Sequence, residues 1–185
     1  MIYDPVRMAQ LSHEPQVIQS RAFGDSRGFF IESFNLAEIE NLLGDFRWIQ
    51  DNHSRSRVGV LRGLHYQIPP KDQGKLVMVV RGAIFDVAVD IRRTSATFGE
   101  WTGVNLSDEN HVQFWIPPGF AHGFLALTDP VDVIYKVTEY YSSEHDRSIR
   151  WDDPDIGIEW PFDREPILSD KDANAPYLRD ADVFA

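Results

Sequence analysis

The sequence has 185 residues, of which 43% are hydrophobic and 25% are charged, a composition typical of a globular protein. Its formal net charge of −11 argues against a protein that binds nucleic acid or anionic membranes through its overall charge. The absence of cysteine excludes disulfide bonds, thiolate metal ligands and a cysteine nucleophile. For this length we predict one domain, spanning residues 1–185.

The sequence predicts neither a membrane-spanning helix nor a secretory signal. No apolar run approaches the roughly 18 residues that a membrane-spanning helix needs. The N-terminal residues, MIYDPVRMAQLSHEP, do not place a basic segment before an apolar one, so they predict no secretory signal. We therefore expect a cytoplasmic protein that does not bind membranes.

The first predicted element is a single amphipathic helix. Asn35 can cap its N-terminus, Glu38 follows three residues later, and Gly44 ends it. Its apolar positions recur at helical spacing and form one stripe: Leu36, Ile39, Leu42 and Leu43. We expect this helix to pack on a body of β-strands.

Short strands dominate the rest of the chain. In chain order they are predicted at residues 75–81, 83–90, 100–106, 113–116, 124–127 and 131–141. The first two, separated by Gly82, and the last two, separated by Thr128, Asp129 and Pro130, are predicted to form hairpins. The pattern favours a mainly β fold, a sandwich or barrel, and residues after Trp151 are expected to wrap around it as loop and short helix.

A strand at residues 60–68 leaves the direction of two polar side chains open. In a regular strand Arg62 and His65 lie on opposite faces, because the side chains alternate. A bulge at Gly63 would re-aim one of them. The sequence by itself allows both arrangements.

Three of the six histidines lie among residue types common in sites, namely His53, His65 and His122. A buried structural histidine is the commoner case. A shared pocket would favour catalysis, since imidazole is the side chain best suited to move protons near neutral pH.

The same histidines are the candidate ligands for a metal site. Metal-binding β-barrels of the cupin class carry a His-x-His pair followed by a glutamate. Here the pair is His65-Tyr66-Gln67, and residues 68–74 contain no glutamate. The later segment PPGFAH (117–122) resembles the second motif of that class. Too few ligands remain for a divalent ion, so we predict no metal and expect a cupin shape that has lost its ion.

Cationic residues concentrate between residues 27 and 81 of this acidic chain: Arg27, Arg55, Arg57, Arg62, Lys75 and Arg81. They could be scattered on the surface, or some could bind a phosphate or diphosphate. No glycine-rich phosphate loop is present, so a nucleotide would be held by side chains and aromatic stacking. Five aromatic residues could either stack on its base or pack in the core: Phe23, Phe29, Phe30, Tyr140 and Tyr141. Tyr135 could be structural, and Asp172 could lie in a solvated loop or orient a histidine.

Nine motifs taken together resemble one family, the dTDP-4-dehydrorhamnose 3,5-epimerases. In chain order they are FGDSRGFFIE (23–32), QDNHS (50–54), LRGLH (61–65), QGKL (73–76), FDVAVDIR (85–92), WIPPGFAHGF (115–124), YK (135–136), GIEWP (157–161) and LSDKD (168–172). The resemblance implies a cupin-type jelly-roll β-barrel with one or a few short helices. It also implies a homodimer and no cofactor. The implied reaction inverts C3 and C5 of a dTDP-linked 4-keto-6-deoxy sugar, on the path to dTDP-L-rhamnose.

The resemblance also implies roles for four catalytic residues. His65 resembles the general base and Asp172 the carboxylate that orients it. Tyr135 resembles the acid that returns a proton on the opposite face. Lys75 resembles the cation beside the developing enolate.

Further residues match binding positions of the family. Arg62 resembles the diphosphate contact, and Phe23 and Tyr140 resemble the stacking partners of thymine. Arg27 and Glu32 resemble contacts that the neighbouring subunit can supply. The other matching positions are Gln50, Asn52, His122 and Lys171. Asp146 stands where the family often has glutamate, which keeps the charge but shortens the reach.

Two alternatives compete with double epimerisation. An enzyme that inverts only C3 or C5 of a related dTDP sugar would carry the same catalytic pair. A sugar-nucleotide-binding cupin without activity would be expected to have lost His65, Tyr135 or Asp172, and all three are present. The resemblance therefore favours the 3,5-epimerase.

Overall fold

The computed structural model describes residues 13–162 and 164–185; most of the N-terminal segment considered above for a secretory signal lies outside this part. The described strands are β1 (Gln16–Gln19), β2 (Ala22–Asp25), β3 (Gly28–Ile31), β4 (Gln50–Ser56), β5 (Leu61–Gln67), β6 (Lys75–Arg81), β7 (Ala83–Asp90), β8 (Trp101–Ser107), β9 (Val112–Ile116), β10 (Phe120–Ala126), β11 (Val131–Val137) and β12 (Asp146–Ser148). The helices are α1 (Leu36–Leu43), α2 (Asp170–Ala173) and a 3₁₀ turn (Leu178–Asp180).

Ten of these strands form two five-stranded sheets. The first sheet has the order β1-β9-β6-β11-β4, and the second has the order β12-β5-β10-β7-β8. From β4 to β7 and from β8 to β12, successive strands alternate between the sheets, which is the path of a jelly roll. The prediction of a mainly β, cupin-type fold is confirmed.

Both predicted hairpins are wrong, although their strands exist. β6 pairs with β9 and β11, whereas β7 pairs with β8 and β10. Gly82, with a φ of 77°, therefore turns a corner from one sheet to the other. In the same way β10 and β11 lie in opposite sheets, and β11 ends at Val137 rather than at residue 141. Each strand buries an apolar face, and crossing the corner lets the two faces pack against each other.

Three apolar clusters hold the layers together. Val77, Phe114 and Val133 of the first sheet pack between the sheets against residues such as Ile84 and Phe124 of the second. The outer face of the second sheet packs against the chain after residue 149. On the outer face of the first sheet, α1 packs against Leu76 and Trp115.

The predicted helix is confirmed at both ends. The side chain of Asn35 accepts a hydrogen bond from the N–H of Ala37 at 3.1 Å, and Gly44 has a φ of 95° at the C-terminus. Only Ile39 and Leu43 of the predicted stripe are buried, because the helix lies on the sheet along one narrow edge.

A bulge in β5 decides the direction of Arg62 and His65. Arg62 pairs with Phe124 and His65 pairs with His122, so two residues of β5 face one residue of β10. At Gly63, where φ is 133°, a Cβ would lie 2.5 Å from the Cα of Gly123. The close approach of the two backbones requires glycine, and the extra residue turns Arg62 and His65 to the same side.

Candidate active site

The interior of the sandwich changes from apolar to polar toward one end. On β6, Lys75 lies on the same face as Val77, and on β11, Tyr135 lies on the same face as Val133. On the second sheet, His122 continues the row that begins with Phe124. A cavity of about 460 Å³ opens at this end.

Nine predicted site residues line this cavity: His65, Lys75, Tyr135, Gln50, Asn52, Arg62, His122, Asp146 and Lys171. They come from both sheets and from α2. Of the cationic residues considered above, Arg62 and Lys75 line the cavity. His53 lies elsewhere, beside Asp132 and Arg55.

His65 is held from behind by a carboxylate. Its Nε2 lies 2.5 Å from Oδ1 of Asp172, which is 3% exposed. The hydroxyl of Ser169, the N-terminal cap of α2, donates to Oδ2 of Asp172 at 2.8 Å. Burial raises the pKa of Asp172, but the hydrogen bond and charge of His65, with the bond from Ser169, outweigh it and lower the pKa. Asp172 is therefore an anion that fixes one ring nitrogen of His65 and leaves the other for the cavity.

Lys75 is the buried cation of the site. It is 7% exposed, and its Nζ donates to the backbone carbonyl of His65 at 3.0 Å. Burial lowers the pKa of Lys75 to about 8, because it disfavours the charged form more than the carboxylates of Asp146 and Asp86 favour it. Near neutral pH the group stays mostly an ammonium ion.

Tyr135 on β11 and Arg62 on β5 lie in opposite sheets. Burial raises the pKa of the Tyr135 phenol, while the positive charge of Arg62 acts in the opposite direction. The phenol therefore remains protonated at neutral pH and can donate a proton. The Nε of Arg62 donates to the hydroxyl of Ser56 at 3.1 Å, which fixes the guanidinium at the cavity wall.

A second imidazole–carboxylate pair lies deeper in the second sheet. The Nε2 of His122 lies 2.7 Å from Oδ1 of Asp86, and both residues are buried. Burial lowers the pKa of His122, and the charge of Asp86 opposes that shift. Asp86 was not singled out by the sequence, although it lies in the FDVAVDIR motif.

Polar residues at the opening of the cavity contact one another. The Nζ of Lys171 lies 2.5 Å from Oδ2 of Asp146, and the hydroxyl of Tyr141 lies 3.3 Å from the same oxygen. On β4, Gln50 donates to Oδ1 of Asn52 at 2.8 Å. Although the aspartate side chain is shorter than the glutamate that the family often has here, Asp146 still contacts Lys171 and Tyr141.

The remaining predicted binding residues lie outside the cavity. Phe23 and Arg27 belong to the β2–β3 hairpin, and Glu32 follows it and accepts a hydrogen bond from Asn35. Tyr140 is 54% exposed beside the opening. None of these four residues lines the cavity that contains His65 of the same chain.

Five lining residues were missed by the sequence analysis: Ser54, Tyr66, Gln67, Gln73 and Phe124. Strand alternation could have found three of them. Gln67 follows His65 by two residues, and Ser54 follows Asn52, and Phe124 follows His122, at the same spacing. Tyr141 was named only as a candidate for stacking, and it lies in a loop, because β11 ends at Val137.

Comparison with known proteins defines the family. Residues 13–180 match the model of the family described as dTDP-4-dehydrorhamnose 3,5-epimerase. The chain belongs to this family. The dTDP-4-dehydrorhamnose 3,5-epimerase of Shigella flexneri is 54% identical over 169 residues, which cover 91% of this chain and 93% of that protein. The epimerase of the same name from Methanothermobacter thermautotrophicus is 55% identical over 170 residues, covering 91% of each.

Solved structures of epimerases in this family share the fold. The dTDP-6-deoxy-D-glucose-3,5-epimerase of Legionella pneumophila, crystallised with dTDP-4-keto-L-rhamnose, matches with a TM-score of 0.88 and 53% sequence identity. The match covers 91% of this chain and 89% of that chain. The resemblance stated from the nine motifs is therefore confirmed.

Neither a metal cluster nor a membrane-spanning helix is found among the described residues. Residues 13–162 and 164–185 contain no group of three or more His, Cys, Asp or Glu side chains that could hold a metal ion. In the same part of the chain no helix is long and apolar enough to cross a membrane. Independence of metals and cofactors stays a prediction.

Proposed function

We propose that the cavity inverts C3 and C5 of dTDP-4-dehydro-6-deoxy-D-glucose and so forms dTDP-4-dehydro-L-rhamnose. The observation that carries this proposal is the position of His65 and Tyr135 on the two facing sheets, both lining one cavity. A sugar between the sheets has a base on one face and an acid on the other. That arrangement is what inversion at carbon requires.

The chemistry begins with proton removal by His65. C3 and C5 both neighbour the C4 ketone, so loss of either proton gives an enolate whose charge is shared with the ketone oxygen. The free ring nitrogen of His65 takes the proton, and Asp172 stabilises the imidazolium that forms.

Lys75 is proposed to stabilise the enolate. Its ammonium group lies in a buried position, where its charge acts more strongly than in water. Removing one preorganised donor of this kind costs an enzyme about 3–4 kcal/mol of transition-state stabilisation. The neighbouring His122 faces the same cavity and is proposed to contact the sugar.

Tyr135 completes the inversion. Its phenol gives a proton to the opposite face of the carbon and is then reprotonated from solvent, while His65 loses its proton. Each epimerisation therefore moves protons only, with no net gain or loss of electrons. The same pair can then act on the second carbon.

The nucleotide is proposed to occupy the open part of the cavity. Arg62 and Lys171 provide positive charge for the diphosphate, and Gln50 and Asn52 provide amide groups. Binding energy from these remote groups anchors the sugar at His65 and Tyr135.

A coupled assay tests the proposed reaction. Purified protein is incubated with dTDP-4-dehydro-6-deoxy-D-glucose, NADPH and a reductase specific for dTDP-4-dehydro-L-rhamnose. We expect NADPH oxidation that depends on the added protein. No oxidation above the reductase blank would contradict the proposal.

We propose that the active unit is a homodimer in which the β2–β3 hairpin reaches the partner's cavity. Among the described residues β2 and β3 pair only with each other. Phe23, Phe29 and Phe30 are 51%, 61% and 69% exposed, an apolar surface of the kind that marks interfaces. A two-fold dimer would bring Arg27 and Phe23 of one subunit to the nucleotide of the other.

Mixing two defective subunits tests this arrangement. Arg27→Ala should weaken substrate binding, and His65→Asn should abolish turnover. In a heterodimer of the two variants one cavity carries both changes and the other carries neither. We expect about half of the parental activity per dimer, with a parental KM. A KM equal to that of the Arg27→Ala homodimer would show instead that Arg27 serves its own subunit.

The pKa of Lys75 predicts the alkaline limit of activity. Since burial lowers that pKa to about 8, the ammonium form is present below pH 8 and is lost above it. We expect kcat/KM to fall as the pH rises through about 8. Tyr135 does not ionise in this range, because burial raises its pKa.

Lys75→Arg is the matched variant, because a guanidinium stays charged throughout this range. It should be less active at pH 7 yet lack the decline near pH 8. A decline of the same midpoint in both proteins would assign the limit to another group. The readout is the pH dependence of kcat/KM from pH 6 to 10.

A further inference from the structure

The strongest unassigned feature of the cavity wall is the buried side chain of Gln67. It is 4% exposed and lies two residues after His65 on β5, facing the cavity. Its Nε2 donates to the carbonyl oxygens of Lys71, at 2.5 Å, and of Tyr140, at 3.2 Å. Its Oε1 accepts from the N–H of Ser142 at 2.7 Å.

All three partners of the Gln67 side-chain amide are main-chain groups. Both N–H bonds have a carbonyl acceptor, and the oxygen has an N–H donor. Gln67 therefore lines the cavity without offering either N–H to a ligand. Its hydrogen bonds act on the neighbouring loops instead.

Two of the three bonds fix the segment 139–146, which we call the rim loop. The contacts to Tyr140 and Ser142 lie on either side of Tyr141, whose side chain lines the cavity. Asp146 at the end of the rim loop pairs with Gln67 in the β5–β12 ladder and binds Lys171. Gln67 thus sets the backbone from which two cavity-lining side chains extend.

Within the rim loop, the carbonyl of Ser142 accepts hydrogen bonds from the N–H groups of His145 and Asp146. From outside the loop, other residues hold its ends, and Gln67 and Gln50 hold its centre. Gln73 donates to the carbonyl of Glu139 at 2.6 Å, and the N–H of Ile68 donates to the carbonyl of His145. Near the centre, Gln50 accepts from the N–H of Tyr141 at 3.2 Å. Of the two glutamines at the centre, Gln67 makes the larger number of bonds and is the more deeply buried.

We infer that Gln67 is a positioning residue for nucleotide binding: it fixes the rim loop so that Tyr141 and Asp146 face the bound dTDP group. This inference rests on the proposed function, since it assumes that the open part of the cavity takes the nucleotide. His65, Tyr135 and Lys75 lie outside the rim loop. Gln67 therefore acts on binding more than on proton transfer.

Gln67→Met is the direct test, because methionine keeps the volume of glutamine and removes its hydrogen bonds. Calorimetry with dTDP should show a Kd about tenfold higher than that of the parent. The kcat at saturating dTDP-4-dehydro-6-deoxy-D-glucose should change less than about threefold. A merely structural role predicts a lower melting temperature without this separation of Kd and kcat.

Leu106→Ala serves as the matched control for lost stability. Leu106 is buried on β8, a strand that contributes no residue to the lining of the cavity. This variant should lower the melting temperature at least as much as Gln67→Met, with a parental Kd for dTDP. A raised Kd in both variants would overturn the inference, because it would trace the effect to stability.

Gln67→Glu offers a rescue that depends on pH. An ionised carboxylate faces two carbonyl oxygens and should weaken dTDP binding more than methionine does. A protonated carboxyl can donate to one carbonyl and accept from Ser142. Relative to the parent at each pH, the Kd of Gln67→Glu should approach the parental value at pH 5.5 and depart from it at pH 8.

Charged and titratable groups near Gln67 also make the parental Kd for dTDP depend on pH. These groups are Lys71, Glu139, His145, Asp146 and Lys171. The quantity to measure is therefore the ratio of the variant Kd to the parental Kd at each pH. A ratio that does not change with pH, or a Gln67→Met variant that binds dTDP as the parent does, would overturn the inference. If the parent itself neither binds dTDP nor epimerises the sugar, it is the proposed function that fails.

Discussion

His65→Asn is expected to abolish exchange of the C3 and C5 protons while leaving dTDP binding close to that of the parent. Asparagine keeps a polar side chain of smaller size but cannot accept the proton. A positioned general base contributes about 10²- to 10⁴-fold, so we expect turnover to fall by about a thousandfold or more. The measurement is deuterium incorporation followed by proton NMR, with calorimetry for dTDP binding.

Asp172→Asn separates orientation from proton acceptance in the same pair. The amide keeps the shape of the carboxylate but cannot stabilise an imidazolium, so turnover should fall less than in His65→Asn. Turnover of His65→Asn at the parental rate would refute the assignment of the base. Loss of dTDP binding together with turnover would indicate damage to the cavity instead.

Tyr135→Phe is expected to separate proton removal from inversion. The ring remains, so the cavity keeps its shape, but no acid faces the side opposite His65. Loss of a general acid should slow net inversion by about 10²- to 10⁴-fold. His65 can still remove a proton and return deuterium to the same face.

The diagnostic product is therefore deuterated substrate of unchanged configuration. Proton NMR in D₂O should show loss of the C3 or C5 signal without the signals of the inverted sugar. Inversion at the parental rate in this variant would mean that another acid acts. Loss of all exchange would mean that Tyr135 is needed before the enolate forms.

The sequence predicted the strands better than their partners. The β-branched segments at 75–81 and 83–90 are strands, and Gly82 turns between them as expected. The same pattern fits a hairpin and a corner between sheets, because both need a turn and two apolar strands. The packing of the two sheets decides between these alternatives. The apolar faces of both strands are buried only when the strands lie in opposite sheets and face each other.

Residues that line the cavity could be named where the motifs resembled those of the family. His65, Lys75, Tyr135 and Arg62 were named from motifs, and all four line one cavity. The bulge at Gly63 that turns Arg62 toward His65 was one of two alternatives, because it depends on the backbone of Gly123 across the ladder.

Contacts made through the backbone could not be predicted. Gln67 gave no chemical signal beyond its place two residues after His65, because its partners are carbonyl and N–H groups of a loop. The pairing of Asp86 with His122 depends on strand register, which brings residues 36 apart in sequence within 2.7 Å. The cytoplasmic location and the single domain over residues 1–185 stay predictions.

Proton NMR of dTDP-4-dehydro-6-deoxy-D-glucose in D₂O, with the purified protein and no added metal, tests the central claim most directly. We predict deuterium at both C3 and C5 and a rhamnose-configured product that a reductase can trap. Deuterium at one carbon alone would make the protein a mono-epimerase with a different product. No exchange, with dTDP still bound, would contradict the assignment of His65 and Tyr135.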